Sequence, residues 1–188
     1  MATFEIFPHF DAARGGEPDA RPLTDIGTRQ AEMMAADLLA QGPVHGVFAS
    51  ANRRCRDSVG PLARKAGVDV QPLQGFEPSP SSGETRDPLV PAAQAGSTYA
   101  SLLRMAAGRP DGRFVICSVG GDIITSLAAF VAGLNGQPIP PKLEVSIGPV
   151  GSDLRRGNVY TIVLDGDKAA LKQREASPDF PQAISTPV

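Results

Sequence analysis

The sequence of 188 residues contains no tryptophan, only two cysteines, and aromatic residues that make up 5% of the chain. Nucleic-acid binding usually relies on aromatic side chains that stack on bases and on a positively charged surface. This chain has few such aromatics and carries a net charge of −2. The same charge provides no attraction to an anionic membrane surface. We therefore expect neither a nucleic-acid partner nor a membrane partner.

Long apolar runs and leader-like features are also missing. No apolar run approaches the roughly 20 residues of a membrane-spanning helix, and residues 1–5 lack the basic and apolar regions of a signal peptide. Cys55 and Cys117 are too few for a disulfide framework or a cysteine-based zinc site. No spacing of His, Cys, Asp and Glu resembles a metal site. These absences predict a cytoplasmic protein with reduced thiols and without a metal or other cofactor.

The composition that is present suits one globular domain. Hydrophobic residues make up 41% of the chain and charged residues 20%, and the length allows a full core. We predict a single domain over residues 1–172. The tail over residues 173–188 is polar and contains three prolines, so we expect it to be flexible and to lack packed structure.

Segments with strand-like and helix-like patterns alternate along the chain. Thr24 is a good N-cap for a first helix. Either Ser50 or Asn52 is expected to cap a second helix, which ends at Gly67. Two further helices are predicted over 92–107 and 123–134, and strands over 3–7, 44–49, 68–73, 113–117, 143–147, 159–164 and 169–172. This alternation predicts an α/β fold, in which a mostly parallel sheet lies between helices and the final hairpin forms an antiparallel edge.

Three loops are expected at the carboxyl ends of parallel strands, where α/β folds bind their ligands. They are Pro8-His9-Phe10, the segment from Ser50 to Arg54, and the segment from Ser118 to Asp122. Helix N-termini with free N–H groups adjoin the last two loops and suit an anion. The histidine, the arginine cluster and the Gly-Gly pair together indicate a ligand site.

Five blocks follow one another along the chain: Pro8-His9-Phe10, Leu23-Thr24 through Gly27 to Gln30-Ala31, Ser50 through Arg54, Glu77, and Ser118-Val119-Gly120-Gly121. They resemble the histidine phosphatase superfamily, in its phosphoglycerate-mutase-like branch, which has Arg-His-Gly after its first strand, then Leu-Thr-x-x-Gly-x-x-Gln-Ala, Ser-x-x-x-Arg, a glutamate, and Ser-His-Gly-Gly. The closing Asn-x-x-(apolar) strand of that family is also matched, from Asn158. The resemblance implies a three-layer α/β/α sandwich and a phosphate ester or other small molecule as ligand.

The resemblance also implies roles for individual residues. His9 attacks phosphorus and carries the phosphoryl group, for which its imidazole must be neutral. Arg54 binds phosphoryl oxygens as a planar fork, and Glu77 protonates the leaving alcohol. The remaining residues expected to line the crevice are Pro8, Phe10, Ser50, Ser118, Val119, Gly120, Gly121 and Asp122.

Three positions depart from the family pattern. Pro8 replaces an arginine, so a fixed cation is missing, and Phe10 replaces a glycine, which predicts added bulk near the phosphate. Val119 replaces the second histidine and cannot donate a hydrogen bond. Each lost donor to a transition-state oxyanion typically costs about 10²–10³ in rate. Efficient phosphatase chemistry is therefore not expected, although two loop arginines, Arg14 and Arg21, are candidate replacements if they are not simply solvated.

Three functional hypotheses follow. The leading hypothesis is a family member with impaired or absent phosphatase activity that binds a small ligand in the ancestral phosphate crevice. The first alternative is an active phosphomonoesterase that uses His9, Arg54 and Glu77 with a substitute cation. The second alternative is a repurposed enzyme, in which His9 and a nearby carboxylate perform acid–base chemistry on a small molecule without phosphate.

Overall fold

The computed structural model describes residues 1–73, 100–118, 131, 135–136, 156–166 and 168–182. The predicted strand over 143–147 and most of the predicted helix over 123–134 lie outside the described residues. Within the described part of the chain, no helix has the length and apolar character needed to span a bilayer.

A six-stranded mixed sheet forms the centre of the fold. Its strands are β1 (Ala2–Pro8), β2 (Gly46–Ala49), β3 (Val70–Pro72), β4 (Arg113–Ser118), β5 (Val159–Asp165) and β6 (Lys168–Arg174), in the order β3-β2-β4-β1-β5-β6. The strands from β3 to β1 are parallel to their neighbours, whereas β5 is antiparallel to both β1 and β6. The predicted antiparallel edge from the final hairpin is confirmed.

Two long helices connect the first strands, and their ends follow from local sequence. Helix α1 (Asp25–Ala40) begins after Thr24, whose side chain accepts a hydrogen bond from the Gly27 N–H at 3.1 Å. Helix α2 (Arg53–Ala66) ends at Gly67, which has the left-handed φ of 70° that glycine adopts without strain. Asn52 occupies the N-cap position of α2, but its side chain donates to Asp19 in the short 3₁₀ helix Pro18–Ala20 and makes no cap bond.

Side chains from alternate positions of the central strands pack on opposite faces of the sheet. On one face, Phe4 and Ile116 form a cluster with Leu102, which belongs to the helical residues 100–108. On the other face, Val115 packs in a second cluster with residues of α1 and α2 such as Leu38. The sheet therefore lies between two helical layers, and the α/β fold class predicted from the sequence is confirmed.

The segment after β6 packs against the domain, contrary to our expectation for residues 173–188. Strand β6 extends to Arg174, and Phe180 is buried in the cluster formed with α1 and α2. The Gln30 side-chain amide donates to the carbonyl oxygen of Pro181 at 2.5 Å. Because Phe180 is an aromatic residue in an otherwise polar segment, its burial stabilises an ordered path over this face. Residues 183–188 lie outside the described part.

Candidate active site

The carboxyl ends of β1, β2 and β4 bring three of the predicted site residues together. The backbone N–H of His9 donates to the carbonyl oxygen of Ser118 at 3.2 Å, which continues the pairing of β1 with β4 beyond Pro8. The hydroxyl of Ser50, after β2, donates to the hydroxyl of Ser118 at 3.4 Å. Because neighbouring parallel strands end at the same edge, His9, Ser50 and Ser118 lie together at this edge of the sheet.

The hydrogen bond of His9 determines which ring nitrogen is free. Nδ1 of His9 lies 2.7 Å from the carbonyl oxygen of Phe10, which can only accept, so Nδ1 carries the proton. In the neutral ring, Nε2 then has an unshared electron pair. Burial, followed by the positive charge of Arg156, lowers the pKa of His9 from 6.5 to about 4. At neutral pH the imidazole is therefore uncharged, and Nε2 keeps its unshared electron pair.

Arg156 is a site residue that sequence reasoning missed. One Nη atom of Arg156 donates to the carbonyl oxygen of His9, and the same atom lies 3.1 Å from His9 Nδ1. Burial lowers the pKa of Arg156, while the charge of Asp11 raises it. One signal could have located this residue: it lies three residues before the start of β5, and the start of a strand antiparallel to β1 lies at the edge where β1 ends.

Arg54 lies on the first turn of α2, and its backbone is tied to the loop after β1. The hydroxyl of Ser58 donates to the Arg54 carbonyl oxygen at 2.7 Å and accepts from the Phe10 N–H at 3.0 Å. The charge of Arg54 also lowers the pKa of His9. Its neighbours Arg53 and Arg56 are exposed.

The Leu-Thr-x-x-Gly-x-x-Gln block holds the loop that carries His9. The Thr24 hydroxyl donates to the Asp11 carboxylate at 2.6 Å, and the Thr24 N–H donates to the Asp11 carbonyl at 3.1 Å. Gln30, which is fully buried, accepts from the Asp11 N–H at 2.9 Å. Gly27 provides space, because a Cβ atom there would lie 2.0 Å from the Asp11 carbonyl oxygen. The block therefore holds Asp11, which is two residues after His9, in a fixed position.

The expectation that Phe10 adds bulk to the crevice is wrong. Its ring has no exposed surface and lies in the core, 5.3 Å from the ring of Phe7 and 5.8 Å from that of Phe180 between centroids. The side chain turns inward because the apolar cluster beneath β1 removes its surface from water. Only the backbone of Phe10 faces His9. Pro8 is buried in β1 and is paired with Ser118.

The other predicted residues of the site divide into two groups. Glu77, Val119, Gly120, Gly121 and Asp122 lie outside the described residues. Of the candidate replacement cations, Arg14 is exposed and Arg21 donates to the carbonyl oxygen of Gly16 within its own loop at 3.4 Å.

The described residues near the crevice include no metal-binding set. Over residues 1–73, 100–118 and the shorter described segments, no group of three His, Cys, Asp or Glu side chains is close enough to hold an ion. Cys55 and Cys117 are both buried free thiols. Burial and the neighbouring Cys55 raise the pKa of Cys117 well above its ordinary value, so this thiol stays protonated.

Comparison with known proteins points to one superfamily. The model of the histidine phosphatase superfamily (branch 1) matches residues 11–77. No curated protein matches the sequence.

Several solved structures share the fold at low sequence identity. The mycobacterial glucosyl-3-phosphoglycerate phosphatase in complex with inorganic phosphate has a TM-score of 0.63 and 15% identity, over 96% of this chain and 99% of that chain. The protein histidine phosphatase SixA with tungstate has a TM-score of 0.58 and 18% identity, over 91% and 95%. A mutant phosphoserine phosphatase from Entamoeba histolytica with phosphoserine has a TM-score of 0.57 and 14% identity, over 91% and 95%. The chain thus has the fold of these phosphatases, and its predicted resemblance to the histidine phosphatase superfamily is confirmed.

Proposed function

We propose that this protein binds a phosphate monoester in the crevice at His9 and hydrolyses it slowly through a phosphohistidine intermediate. The observation that carries the proposal is the 2.7 Å hydrogen bond from His9 Nδ1 to the Phe10 carbonyl oxygen. This bond leaves Nε2 unprotonated and directs the ring, which are the two conditions for a nucleophilic imidazole. Structural relatives that hold inorganic phosphate, tungstate or phosphoserine support the ligand class.

The proposed reaction has two displacements at phosphorus. The Nε2 electron pair of His9 forms a bond to phosphorus, while the bond from phosphorus to the ester oxygen breaks. The departing oxygen takes a proton, in this proposal from Glu77, and leaves as an alcohol. Water then attacks phosphorus and gives a proton back to the Glu77 carboxylate, while the N–P bond breaks, its electron pair returns to Nε2, and inorganic phosphate leaves. Arg54 stabilises the phosphoryl oxygens in both steps.

Two features set the expected rate. Val119 cannot replace the histidine donor of the family pattern, and losing one such donor typically lowers the rate by about 10²–10³. Phe10 does not block the crevice because its ring is in the core. We therefore expect measurable but slow turnover of simple aryl phosphates.

Trapping the intermediate tests the proposal most directly, because the chain has only two histidines. Wild-type protein mixed with p-nitrophenyl phosphate should form phosphohistidine, which is detected by phosphorus NMR after alkaline quench. His9→Ala should abolish both the intermediate and turnover. His45→Gln is the matched control, because His45 lies at the opposite end of the sheet, where it accepts from the Arg113 N–H at 2.9 Å.

A second candidate function is phosphate-ester binding without turnover, which the replacement of a histidine by Val119 favours. It predicts inorganic phosphate binding that Arg54→Gln weakens, with no phosphohistidine in any variant. Turnover that persists in His9→Ala, or no phosphate binding at all, would contradict both candidates.

Acid–base chemistry on a ligand without phosphate has less support. A general base works best with a pKa near the working pH, whereas the pKa of His9 is lowered to about 4. The carboxylate of Asp11 already accepts the hydroxyl of Thr24 at 2.6 Å. His9 is therefore better suited to attack an electrophile than to remove a proton.

A further inference from the structure

The charges of two arginines from distant parts of the chain act on His9. Arg54 is on the first turn of α2 and Arg156 lies three residues before the start of β5, and both lower the pKa of the imidazole. The family pattern has an arginine directly before the histidine, but this chain has the uncharged Pro8. Arg156 therefore brings a positive charge to His9 that the family pattern does not predict.

Hydrogen-bond chemistry determines what Arg156 does to His9. Nδ1 of His9 donates to the Phe10 carbonyl oxygen, so it has no electron pair to accept a bond from Arg156. The Arg156 Nη atom therefore has the His9 carbonyl oxygen as its acceptor, and its distance of 3.1 Å from Nδ1 is a contact between two donors. The guanidinium thus holds the His9 backbone and places a positive charge against the ring edge away from Nε2.

A hydrogen bond from the segment after β6 holds the backbone at Arg156, and a nearby carboxylate favours the charged form of its guanidinium. Gln182, from the segment after β6, donates its side-chain amide to the Arg156 carbonyl oxygen at 3.3 Å. Asp11 is the carboxylate whose charge favours the charged guanidinium, although burial is the larger effect. A cation held in a desolvated position gains more from an anionic ligand than a solvated one does.

We propose that Arg156 is a positioning residue for His9 and also supplies the second fixed cation of the phosphate crevice. Together with Arg54, it provides two guanidinium groups for a phosphate dianion, and it takes over the charge that is missing at position 8. It also opposes protonation of His9 and so preserves the nucleophilic form. This inference rests on the proposed function, because it assigns Arg156 to the same crevice.

A nitrogen NMR titration of histidine-labelled protein tests the positioning role without any turnover. Within the described part of the chain, the groups whose charges act on His9 are Arg54, Arg156 and Asp11, and an Nη atom of Arg156 lies 3.1 Å from its Nδ1. In Arg156→Gln, we expect the pKa of His9 to rise by about one unit or more, whereas His45 serves as an internal reference. Arg156→Lys, which keeps the charge, should change it less. Arg56→Gln, at an exposed arginine of α2, should not change it.

Calorimetric titration with inorganic phosphate at neutral pH tests the cation role. Removal of a positive charge near the bound dianion predicts at least about tenfold weaker binding by Arg156→Gln, with unchanged binding by Arg56→Gln. If Arg156→Gln does not fold, arginine-labelled wild-type protein replaces it, and phosphate must then shift the side-chain resonance of Arg156. A folded Arg156→Gln protein with unchanged His9 pKa and unchanged phosphate affinity would overturn the proposal, as would an unshifted Arg156 resonance at saturating phosphate.

The same measurements separate this inference from the proposed function. If the phosphohistidine never forms but the His9 pKa rises in Arg156→Gln, the positioning role stands and the phosphatase proposal fails. If phosphohistidine forms equally in wild type and Arg156→Gln while the His9 pKa is unchanged, the function stands and Arg156 has no part in it.

Discussion

The carbonyl oxygen of Asp11 lies 2.0 Å from the position that a Cβ atom on Gly27 would occupy. This approach brings the loop after β1 directly onto the first turns of α1, where Thr24 and Gln30 bind the Asp11 backbone. A glycine inside a helix normally lowers stability by about 0.5–1 kcal/mol relative to alanine. In this case the glycine makes the loop geometry possible, and with it the placement of His9.

Gly27→Ala should therefore damage both stability and function. The added methyl group would collide with backbone, so we expect a loss of at least about 2 kcal/mol in the free energy of unfolding. A displaced His9 would lower aryl phosphate turnover by about 10²-fold. Gly60→Ala in α2 is the matched control, because its Cβ would meet only the flexible end of Arg64 at 3.4 Å. It should gain up to about 1 kcal/mol. Equal urea midpoints for the two variants would refute the steric explanation.

Phe10→Ala should behave as a core mutation. The Phe10 ring is fully buried between Phe7 and Phe180, so its removal should cost about 3–5 kcal/mol in unfolding free energy. Phosphate affinity measured on the folded fraction should stay within a few-fold of wild type, because the ring does not face the ligand. A large gain in phosphate affinity with little loss of stability would instead place the ring in the crevice.

The segment after β6 should contribute to stability through Phe180. Phe180→Ala should lower the free energy of unfolding by about 3–5 kcal/mol. In a double-mutant cycle, Phe10 and Phe180 should show coupling of about 0.5–1.5 kcal/mol, as expected for two aromatic rings in contact. Guanidinium denaturation of the four proteins measures both quantities. Additive effects would show that the two rings stabilise the fold independently.

Stability should depend on pH through His9 in the direction opposite to that of a salt-bridged histidine. The native pKa of His9 is about 4, below its ordinary value of 6.5. Between these two values the unfolded chain binds a proton that the native protein does not, so stability falls as pH decreases from 6.5 to 4. The loss relative to His9→Gln should be at most about 3 kcal/mol, and it should level off below pH 4. Parallel stability profiles of the two proteins from pH 4 to 7 would contradict the lowered pKa.

Short-range chemistry allowed much of the fold to be predicted. The N-cap at Thr24 and the left-handed glycine at Gly67 depend on neighbouring residues only, and both lie at the helix ends that the sequence predicts. The antiparallel edge followed from a hairpin turn between two adjacent strands. The order β3-β2-β4-β1 was not readable in the same way, because it results from pairing between strands that are far apart in the chain.

The site was predicted where it follows a strand end and missed where it depends on tertiary packing. His9, Ser50 and Ser118 come together because parallel strands end at one edge. Arg156 is separated from His9 by 147 residues, and no local pattern connects them. Phe10 is the second residue after the end of β1 at Pro8, where alternation no longer determines which way a side chain points.

The position of β1 in the sheet has a consequence for how the chain acquires its structure during synthesis. β1 precedes the other described strands in the chain, yet it lies between β4 and β5, and Thr3 is paired with both Arg113 and Val163. Its two neighbours are therefore translated long after it, and loop closure of this length makes folding slow. A nascent chain would expose the apolar strand around Phe4 and Ile6 to aggregation until its partners emerge. Efficient expression should consequently depend on chaperone capacity or on a slow rate of synthesis.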